Sequence, residues 1–262
     1  MNSEGQFLRK VQVTRYVTPL REGGSMPALA EANDGFLYVL KFRGAGQGPK
    51  ALIAELIGGE IARCLQHKVP ELVFAELDEA FGRTEPDEEI QDLLKVSIGL
   101  NLALHFLSGS FGFDPVVNKV EPFLASKIVW LDAFLMNMDR TVRNTNMLIW
   151  NNELWLIDHG ASLYFHHAGS SWDDKFNHPF ELVKKHVLYY YATKMNEADA
   201  WAKKIFTNEK IDNIVSLIPS EWIEADLIYK SVEAQREAYA NFLKKRLISS
   251  QSFIQTIPHG NS

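Results

Sequence analysis

Asp139, Asn144 and Asp158 are the residues whose types and spacing favour a defined chemistry. They surround two apolar runs in the segment NMDRTVRNTNMLIWNNELWLIDHG, residues 137–160. A carboxylate and an amide oxygen at one edge suit a hard cation such as Mg²⁺, which prefers oxygen ligands and bridges nucleotide phosphates. A separate Asp can orient an attacking hydroxyl and accept its proton. Protein kinases use this layout, an Asp, an Asn five residues later and an Asp-x-Gly after a hairpin, so the segment indicates phosphoryl transfer.

A two-residue β-hairpin is the element that would bring these groups together. The Asn151-Asn152 pair tolerates the positive φ angles of a type I′ turn and separates two runs of strand-forming residues. The register then follows by counting back from the turn, and it makes three pairs: Trp150 with Glu153, Met147 with Leu156, and Thr145 with Asp158. The hairpin is therefore expected to carry Asp158 back beside Asn144.

The N-terminal half supplies the cation that such a reaction needs. Lys41 ends the strand-like run FLYVLKF, downstream of the loop Gly23-Gly24-Ser25, and Glu55 lies in the helical pattern that follows. Taken singly, a strand-end lysine and a helical glutamate are ordinary surface residues. The order of a glycine-containing loop, Lys, Glu, Asp and Asn, and Asp-x-Gly favours a kinase, in which the Lys binds phosphate and the acid holds the Lys.

The surrounding pattern predicts an α+β chain with a small sheet-based lobe and a larger helical lobe. Alternating strands and an Asp34-Gly35 turn come first, and a helix begins at Pro49 with one apolar stripe. From about Pro122 the pattern is mainly helical, with helices expected over ELVKKHVLYYYATK, over EADAWAKKIFT and from Glu221 to Leu247. The expected division is residues 1–109, residues 110–250, and a frayed tail at 251–262.

The residues between Trp130 and His167 resemble the core of HipA-like kinases, in particular their short single-domain branch. The Asp-Arg…Asn and Asp-x-Gly elements also resemble type II phosphatidylinositol 4-kinases. EGGSMPALAEANDGFLYVLKF and KALIAELIGGEIARCLQHKVPEL resemble the first strands and helix of the HipA-like family. The resemblance covers roughly residues 10–190 and implies a bilobal protein-kinase-like fold, with a small β-rich N-lobe and a larger, mainly helical C-lobe.

The resemblance also implies roles for single residues. Asp139 would be the catalytic Asp, Lys41 would contact the ATP phosphates and pair with Glu55, and Asn144 and Asp158 would bind Mg²⁺. Further nucleotide contacts would come from the early loop, at Gly24 and Ser25, and from a hinge that receives adenine through backbone groups, at His105, Phe106 and Leu107. In better-known HipA kinases a serine of the early loop can be autophosphorylated; Ser25 is the only serine in the corresponding loop here, although Met26-Pro27 does not match that longer loop.

Several alternatives stay open beside these assignments. Asn146 could replace Asn144 as the metal ligand, although the five-residue spacing from Asp139 favours Asn144. Adjacent histidines such as His166 and His167 point to different sides of most backbones, so these two and His159 are expected to have a structural or ATP-proximal role rather than to bind zinc. The loop at residues 44–50 lacks a Gly-Lys-Ser/Thr ending and is interpreted as a connector. Arg140 is expected in a structural ion pair, and the three tyrosines at 189–191 in packing.

Composition bounds the remaining possibilities. The net charge of −6 at pH 7 argues against a broad nucleic-acid surface. The single cysteine, Cys64, fits a small core residue in a reducing compartment. No run resembles a signal peptide or a membrane span, so a cytoplasmic protein is expected. The expected activity is MgATP-dependent transfer to a protein Ser/Thr hydroxyl; a lipid or small-molecule kinase and a non-catalytic nucleotide-binding protein are the alternatives.

Overall fold

The structure is a computed structural model of the 262-residue chain, and it describes most of that chain. The described residues are 7–20, 26–79, 81, 87–167, 171–224 and 228–257.

Five strands near the N-terminus form a closed barrel in the order β1-β2-β3-β5-β4. The strands are β1 (Lys10–Pro19), β2 (Ala28–Ala32), β3 (Leu37–Lys41), β4 (Leu72–Leu77) and β5 (Gly99–His105). β1 closes the barrel by pairing in parallel with β4, while its other edge pairs antiparallel with β2. Small side chains fill much of the interior: Ala28, Ala30, Ala32, Ala75 and Ala103 are all buried. The predicted turn between β2 and β3 is present, with Gly35 at φ 79°.

Two helices flank the barrel. α1 (Pro49–Cys64) begins with Pro49 in its first turn, as predicted. Its burial extends around the whole helix from Leu52 to Ala62, not along one stripe as the apolar spacing indicated. The reason is that α1 lies between the barrel strands and the C-terminal helices, so it has no solvent face over this length. α2 (Glu88–Val96) begins at Asp87, whose carboxylate accepts from two backbone N–H groups.

The middle of the chain consists of one buried helix and a small sheet. α3 (Pro122–Leu135) is buried on all sides from Ile128 onward. The sheet has the order β6-β7-β8, from β6 (Phe111–Gly112), β7 (Met147–Trp150) and β8 (Glu153–Leu156). Met147 pairs with Leu156 and Trp150 with Glu153, and both turn asparagines have positive φ, so the predicted hairpin is confirmed with two of its three predicted pairs. The strands end before Thr145 and Asp158, and the third pair is not part of the ladder.

The C-terminal part is helical but less regular than predicted. Its α-helices are α4 (Met195–Ile205), α5 (Asn208–Ser216), α6 (Val232–Ile248) and α7 (Gln251–Ile254), and its 3₁₀ turns are Tyr164–His167, Glu181–Lys185, Tyr189–Tyr191 and Ser220–Trp222.

Three sequence expectations fail in this region. The helix expected over residues 181–194 is two 3₁₀ turns, because His186 lies between them in extended backbone and forms a β-bridge with Thr141. The last long helix begins at Val232, after the N-cap Ser231, and not at Glu221. α5 was not predicted at all; Thr207 caps it by accepting from the N–H of Lys210.

Residues 251–257 also depart from the frayed tail expected there. Phe253, Ile254 and Ile257 are buried, and the Phe253 ring contacts the Trp130 and Phe134 rings of α3 edge-on. The tail therefore covers the core helix; residues 258–262 lie outside the described part.

The tyrosines at 189–191 also differ from the packing role expected of all three. Tyr189 is buried, but the next two are not: Tyr190 is 82% exposed and Tyr191 is 44% exposed.

The architecture agrees with the expected order of strands first and helices later, in a mixed α/β chain with its main sheet in the N-terminal region. Two buried clusters hold it together: one fills the barrel, and the other joins α1 and the barrel's outer face to the C-terminal helices. Within the described residues, no helix is long and apolar enough to cross a lipid bilayer.

Trp222 joins the barrel to the later helices. It is almost fully buried, its indole N–H donates to the Leu100 carbonyl at 2.9 Å, and its ring meets Phe74 at 5.6 Å between ring centres. Nearby, Glu221 pairs with Arg43 at 3.0 Å. This contact holds α1 against the helical part of the chain.

We expect Trp222→Ala to lower the free energy of unfolding by about 3–5 kcal/mol, because it removes a buried indole and leaves a cavity. Tyr190→Ala is the matched control and should change stability by no more than about 0.5 kcal/mol, since the Tyr190 ring is exposed. Urea unfolding followed by tryptophan fluorescence and circular dichroism measures both. Equal effects of the two substitutions would contradict the described packing.

Candidate active site

Lys41 lies between two carboxylates that come from distant parts of the chain. Its Nζ is 2.6 Å from an oxygen of Glu55 and 2.6 Å from an oxygen of Asp158. Glu55 is fully buried, whereas the Asp158 side chain is 40% exposed. The predicted Lys–Glu pair is therefore present, and Asp158 faces both this pair and solvent.

The ion pairs shift the pKa values of both buried partners toward their charged forms. Burial raises the pKa of Glu55, but the charge of Lys41 and hydrogen bonds from His159 and Lys41 outweigh it and lower the pKa to about 2. Burial likewise lowers the pKa of Lys41, yet Asp158 and Glu55 raise it above its ordinary range. Lys41 and Glu55 are thus both charged at neutral pH, as a phosphate-binding lysine requires.

Backbone geometry directs Asp158 into this cluster. Asp158 follows β8 with a positive φ of 55°, a left-handed conformation that Asp tolerates better than most residues. The N–H of the next residue, His159, donates to Glu55 at 2.8 Å. Glu55 therefore holds both the lysine and the Asp-His-Gly segment, and it fixes their relative position.

His159 docks the same segment against α1. Its side chain is fully buried over Gly58, where an added Cβ would come within 2.5 Å of the His159 Cβ. A glycine is needed at this point because the segment approaches the helix so closely. Sequence reasoning missed Gly58, although the Gly58-Gly59 pair inside a helical pattern was a signal of close packing.

Asp139 forms a second polar cluster with three asparagines. One oxygen of Asp139 accepts from the side-chain amides of Asn144 at 2.7 Å and Asn146 at 3.1 Å. The Asp139 N–H donates to the side chain of Asn137 at 3.2 Å, so Asn137 orders the loop rather than ending in solvent. Met138, which directly precedes Asp139, lies beyond the end of α3 at Leu135 and is exposed.

The backbone connects the Asp139 cluster to Asp158. The carbonyl of Asn146 accepts from the N–H of Ile157 at 3.0 Å, and it also accepts from the Arg140 guanidinium. Arg140 reaches the Ile157 carbonyl as well, at 3.2 Å. Asn146 contacts Asp139, and Ile157 directly precedes Asp158. These hydrogen bonds therefore hold the two acidic residues on neighbouring segments of the backbone.

A buried ionic network underlies the loop that carries Asp139. Asp132 of α3 accepts from Arg140 at 2.6 Å, His186 at 2.8 Å and Asn137 at 2.9 Å. Burial raises the pKa of Asp132, but Arg140 and His186 outweigh burial and lower the pKa well below the ordinary range. The structural ion pair predicted for Arg140 is confirmed, and its partner is Asp132.

Arg246 ends α3 just before this loop. Its guanidinium, fully buried, donates to the Ala133 and Phe134 carbonyls of α3 at 2.6 and 2.7 Å, and also to the Phe176 and His178 carbonyls. Burial lowers the Arg246 pKa to about 9. A cation at a helix C-terminus satisfies free carbonyls and the helix dipole. Sequence reasoning missed this residue, because nothing near position 246 marks it.

Two backbone N–H groups of the predicted hinge already donate hydrogen bonds to other backbone carbonyls of the barrel region. The N–H of His105 donates to the Glu71 carbonyl at 2.9 Å, and that of Phe106 donates to the Leu37 carbonyl at 2.8 Å. Adenine recognition at residues 105–107 would therefore use their carbonyls or the Leu107 N–H. Gly24 and Ser25, the other expected nucleotide contacts, lie outside the described residues, so their assignment stays a prediction.

The donor set beside Asp139 and Asp158 fits a hard divalent cation. Asn144 donates through its nitrogen to Asp139, which leaves its amide oxygen as the free end of the side chain. The Asp158 carboxylate, partly exposed, supplies a second oxygen. Oxygen-only ligands suit Mg²⁺. Asn146 also lies on Asp139, so the choice between the two asparagines as metal ligand stays open.

The neighbouring histidines correct one expectation. The rings of His166 and His167 do not point apart: their Nε2 atoms are 3.0 Å from each other, and His166 Nδ1 is 3.0 Å from the Tyr239 hydroxyl. The 3₁₀ turn Tyr164–His167 brings both rings to one side. Lys50, at the end of the connector loop, donates to the His166 carbonyl at 2.6 Å and ties this turn to α1.

Comparison with known proteins assigns the chain to a family. The family model described as HipA-like kinase matches residues 13–257. The chain belongs to the HipA-like kinase family. The expected resemblance to HipA-like kinases is confirmed, and the family's description supports a kinase. No curated protein sequence matches this HipA-like chain at a significant level.

Solved structures support the same fold. The crystal structure of the Helicobacter pylori proinflammatory kinase CtkA is similar with a TM-score of 0.57 and 15% identity, over 93% of this chain and 98% of that one. The Golgi casein kinase with Mn/ADP bound is similar at a TM-score of 0.44 and 12% identity, over 97% of this chain and 77% of that one. The first similarity shows a kinase fold; the second is too weak to support an inference.

Gly58 and Gly59 give a matched pair of substitutions in one helix. Gly58→Ala should lower the free energy of unfolding by about 1–3 kcal/mol through overpacking against His159, in spite of a helix-propensity gain of about 1 kcal/mol. Gly59→Ala meets only the movable end of the Leu72 side chain, at 3.0 Å, and should stay within about 1 kcal/mol of the parent protein. Urea unfolding distinguishes them, and equal stabilities would be inconsistent with the close contact.

His67 makes stability depend on pH. Burial lowers its pKa to about 3, whereas an unfolded histidine titrates near 6.5, so the unfolded chain binds the extra proton between these values. The destabilising effect of His67 is therefore absent well above pH 6.5. As the pH drops to about 5, this group alone lowers the free energy of unfolding by about 2 kcal/mol. His67→Leu should make the urea midpoint less sensitive to pH between 7 and 5. An unchanged pH dependence would show that His67 is not buried in its neutral form.

Proposed function

We propose that the chain transfers the γ-phosphate of ATP, with Mg²⁺, to a serine or threonine hydroxyl of a protein. The observation that carries the proposal is the position of Lys41, 2.6 Å from both Glu55 and Asp158. Together with Asp139 and Asn144 on the adjacent loop, these groups supply a phosphate-binding cation, oxygen ligands and a separate carboxylate.

Each residue then has one task in the transfer. Lys41, held by Glu55, binds the phosphates between a small N-terminal lobe and a larger C-terminal lobe. Asp139 orients the acceptor hydroxyl and receives its proton as the hydroxyl oxygen bonds to the γ-phosphorus and the bond to the β–γ bridging oxygen breaks. Mg²⁺, when bound by Asp158 and Asn144, would offset the negative charge of the phosphates.

The buried network makes these positions rigid before substrate binds. Arg140 and Asp132 fix the loop of Asp139, and Glu55 fixes the Asp-His-Gly segment, so little reorganisation is needed at the moment of transfer. Adenine would be bound by the backbone carbonyls of residues 105–107 and by the Leu107 N–H. The N–H groups of His105 and Phe106 already donate to backbone carbonyls of the barrel region.

Three substitutions test the roles separately. Asp139→Asn should reduce phosphate transfer by at least about 10²-fold and keep the rise in melting temperature that MgATP causes, because it removes only the proton acceptor. Asp158→Asn and Lys41→Met should abolish transfer and also reduce the MgATP-dependent rise, because both remove groups that hold the nucleotide phosphates or the metal. Asp212→Asn, which changes an exposed carboxylate on α5, is the control and should behave like the parent protein.

The assay uses labelled ATP with separate protein and lipid pools, followed by mass spectrometry of the product. Phosphoserine or phosphothreonine supports the proposal. Label in lipid alone would identify a lipid kinase, and a melting-temperature rise without any transfer would identify a non-catalytic nucleotide-binding protein. Wild-type rates for Asp139→Asn and Asp158→Asn would contradict the assigned roles.

A further inference from the structure

Two cations lie beside the Asp139 loop. Arg143 directly precedes Asn144, whose amide contacts Asp139, and Lys185 ends the 3₁₀ turn Glu181–Lys185. Both side chains are exposed, and in the part of the chain that the structure describes neither has a hydrogen-bond or ion-pair partner. The neighbouring Lys184, by contrast, pairs with Glu181.

The backbone brings these two cations to one place although they are far apart in sequence. Thr141 and His186 form an antiparallel bridge, and the N–H of Val187 donates to the Arg140 carbonyl at 3.1 Å. This bridge sets Thr141 beside His186, with Val142 next along one segment and Lys185 one residue before His186 on the other. Arg143 follows Val142, so both cations flank the same short bridge.

The charge of this place is the reverse of the average for the molecule. The whole chain carries a net charge of −6, whereas the edge next to Asp139 offers a guanidinium and an ammonium without acidic partners. A guanidinium binds a carboxylate through two parallel hydrogen bonds. Apolar contact is available between and beside the cations, because Val142 is 67% exposed and Met138 is 46% exposed.

We propose that Arg143 and Lys185 select the acceptor, and that the acceptor is a peptide segment with acidic residues next to its serine or threonine. The proposal rests on the proposed function, since it takes Asp139 as the residue that receives the acceptor hydroxyl. Val142 and Met138 contact an apolar side chain of the same segment.

A peptide fits this surface better than a membrane does. Binding to anionic lipid typically uses clusters of about 4–8 lysines and arginines or a wide apolar face. In the described part of the chain, the unpartnered cations beside the bridge are this pair, and the adjacent Lys184 pairs with Glu181. A single carboxylate or two match the size of the site.

The test uses the full chain with synthetic peptides that share one central serine and differ only in acidic, neutral or basic flanks. The parent protein should show a kcat/KM at least roughly tenfold higher for the acidic peptide than for the basic one, a preference that weakens as salt is added. Arg143→Glu with Lys185→Glu should abolish or invert this preference through the KM for peptide, with the KM for ATP unchanged. Lys204→Glu makes the same kind of charge change at the far end of α4 and should keep the preference.

Binding gives a readout that does not need turnover. Asp139→Asn protein should bind the acidic peptide in fluorescence anisotropy, and adding Arg143→Glu and Lys185→Glu should weaken this binding by roughly tenfold or more. Equal transfer to acidic and basic peptides overturns this proposal alone and leaves the kinase function intact. An altered KM for ATP, or transfer to phosphatidylinositol vesicles but to no peptide, also overturns it. Absence of transfer together with absence of MgATP binding would overturn the proposed function as well.

Discussion

The site depends on two ion pairs, which join Lys41 to Glu55 and to Asp158. Lys41 is the last residue of a barrel strand, Glu55 lies in the middle of α1, and Asp158 follows β8. The Lys41 ammonium group therefore links three distant segments of the chain. Removing a buried carboxylate from water is costly, and Glu55 is stable in its charged form only because Lys41 and the His159 N–H face it. The need to keep Glu55 paired therefore constrains the positions of Lys41 and the Asp-His-Gly segment.

The surrounding elements keep these three groups in place. α1 is buried between the barrel and the C-terminal helices. Trp222 connects the barrel to these later helices, and His159 packs directly against Gly58 of α1. On the other side, Asp132 and Arg246 hold the end of α3 and the loop that follows. The acidic groups can therefore project from a rigid frame, which is what catalysis by positioning and electrostatic stabilisation requires.

The sequence was informative where local chemistry determines structure. Two asparagines that tolerate positive φ specified the hairpin, and counting from them placed Asp158 near the Asp139 loop; the order of Lys41 and Glu55 indicated their pair. It failed where distant contacts decide the outcome. Nothing local shows that β1 closes a barrel with β4, that Arg246 ends a helix more than a hundred residues earlier, or that a bridge to Thr141 interrupts the helical pattern at His186. The wrong expectation for His166 and His167 has the same origin, since a 3₁₀ turn, not an extended backbone, sets their directions.

The central claim is that Lys41 and Glu55 act as one unit in binding MgATP, and a double-mutant cycle tests it most directly. The dissociation constant of MgATP is measured by calorimetry for the parent protein, Lys41→Met, Glu55→Gln and the double variant, with unfolding curves to confirm that each is folded. We expect each single substitution to weaken binding by roughly tenfold or more, and the double variant to bind about as weakly as the worse single one, because both remove the same contact. Losses that simply add, or single variants that bind MgATP as the parent does, would contradict the claim.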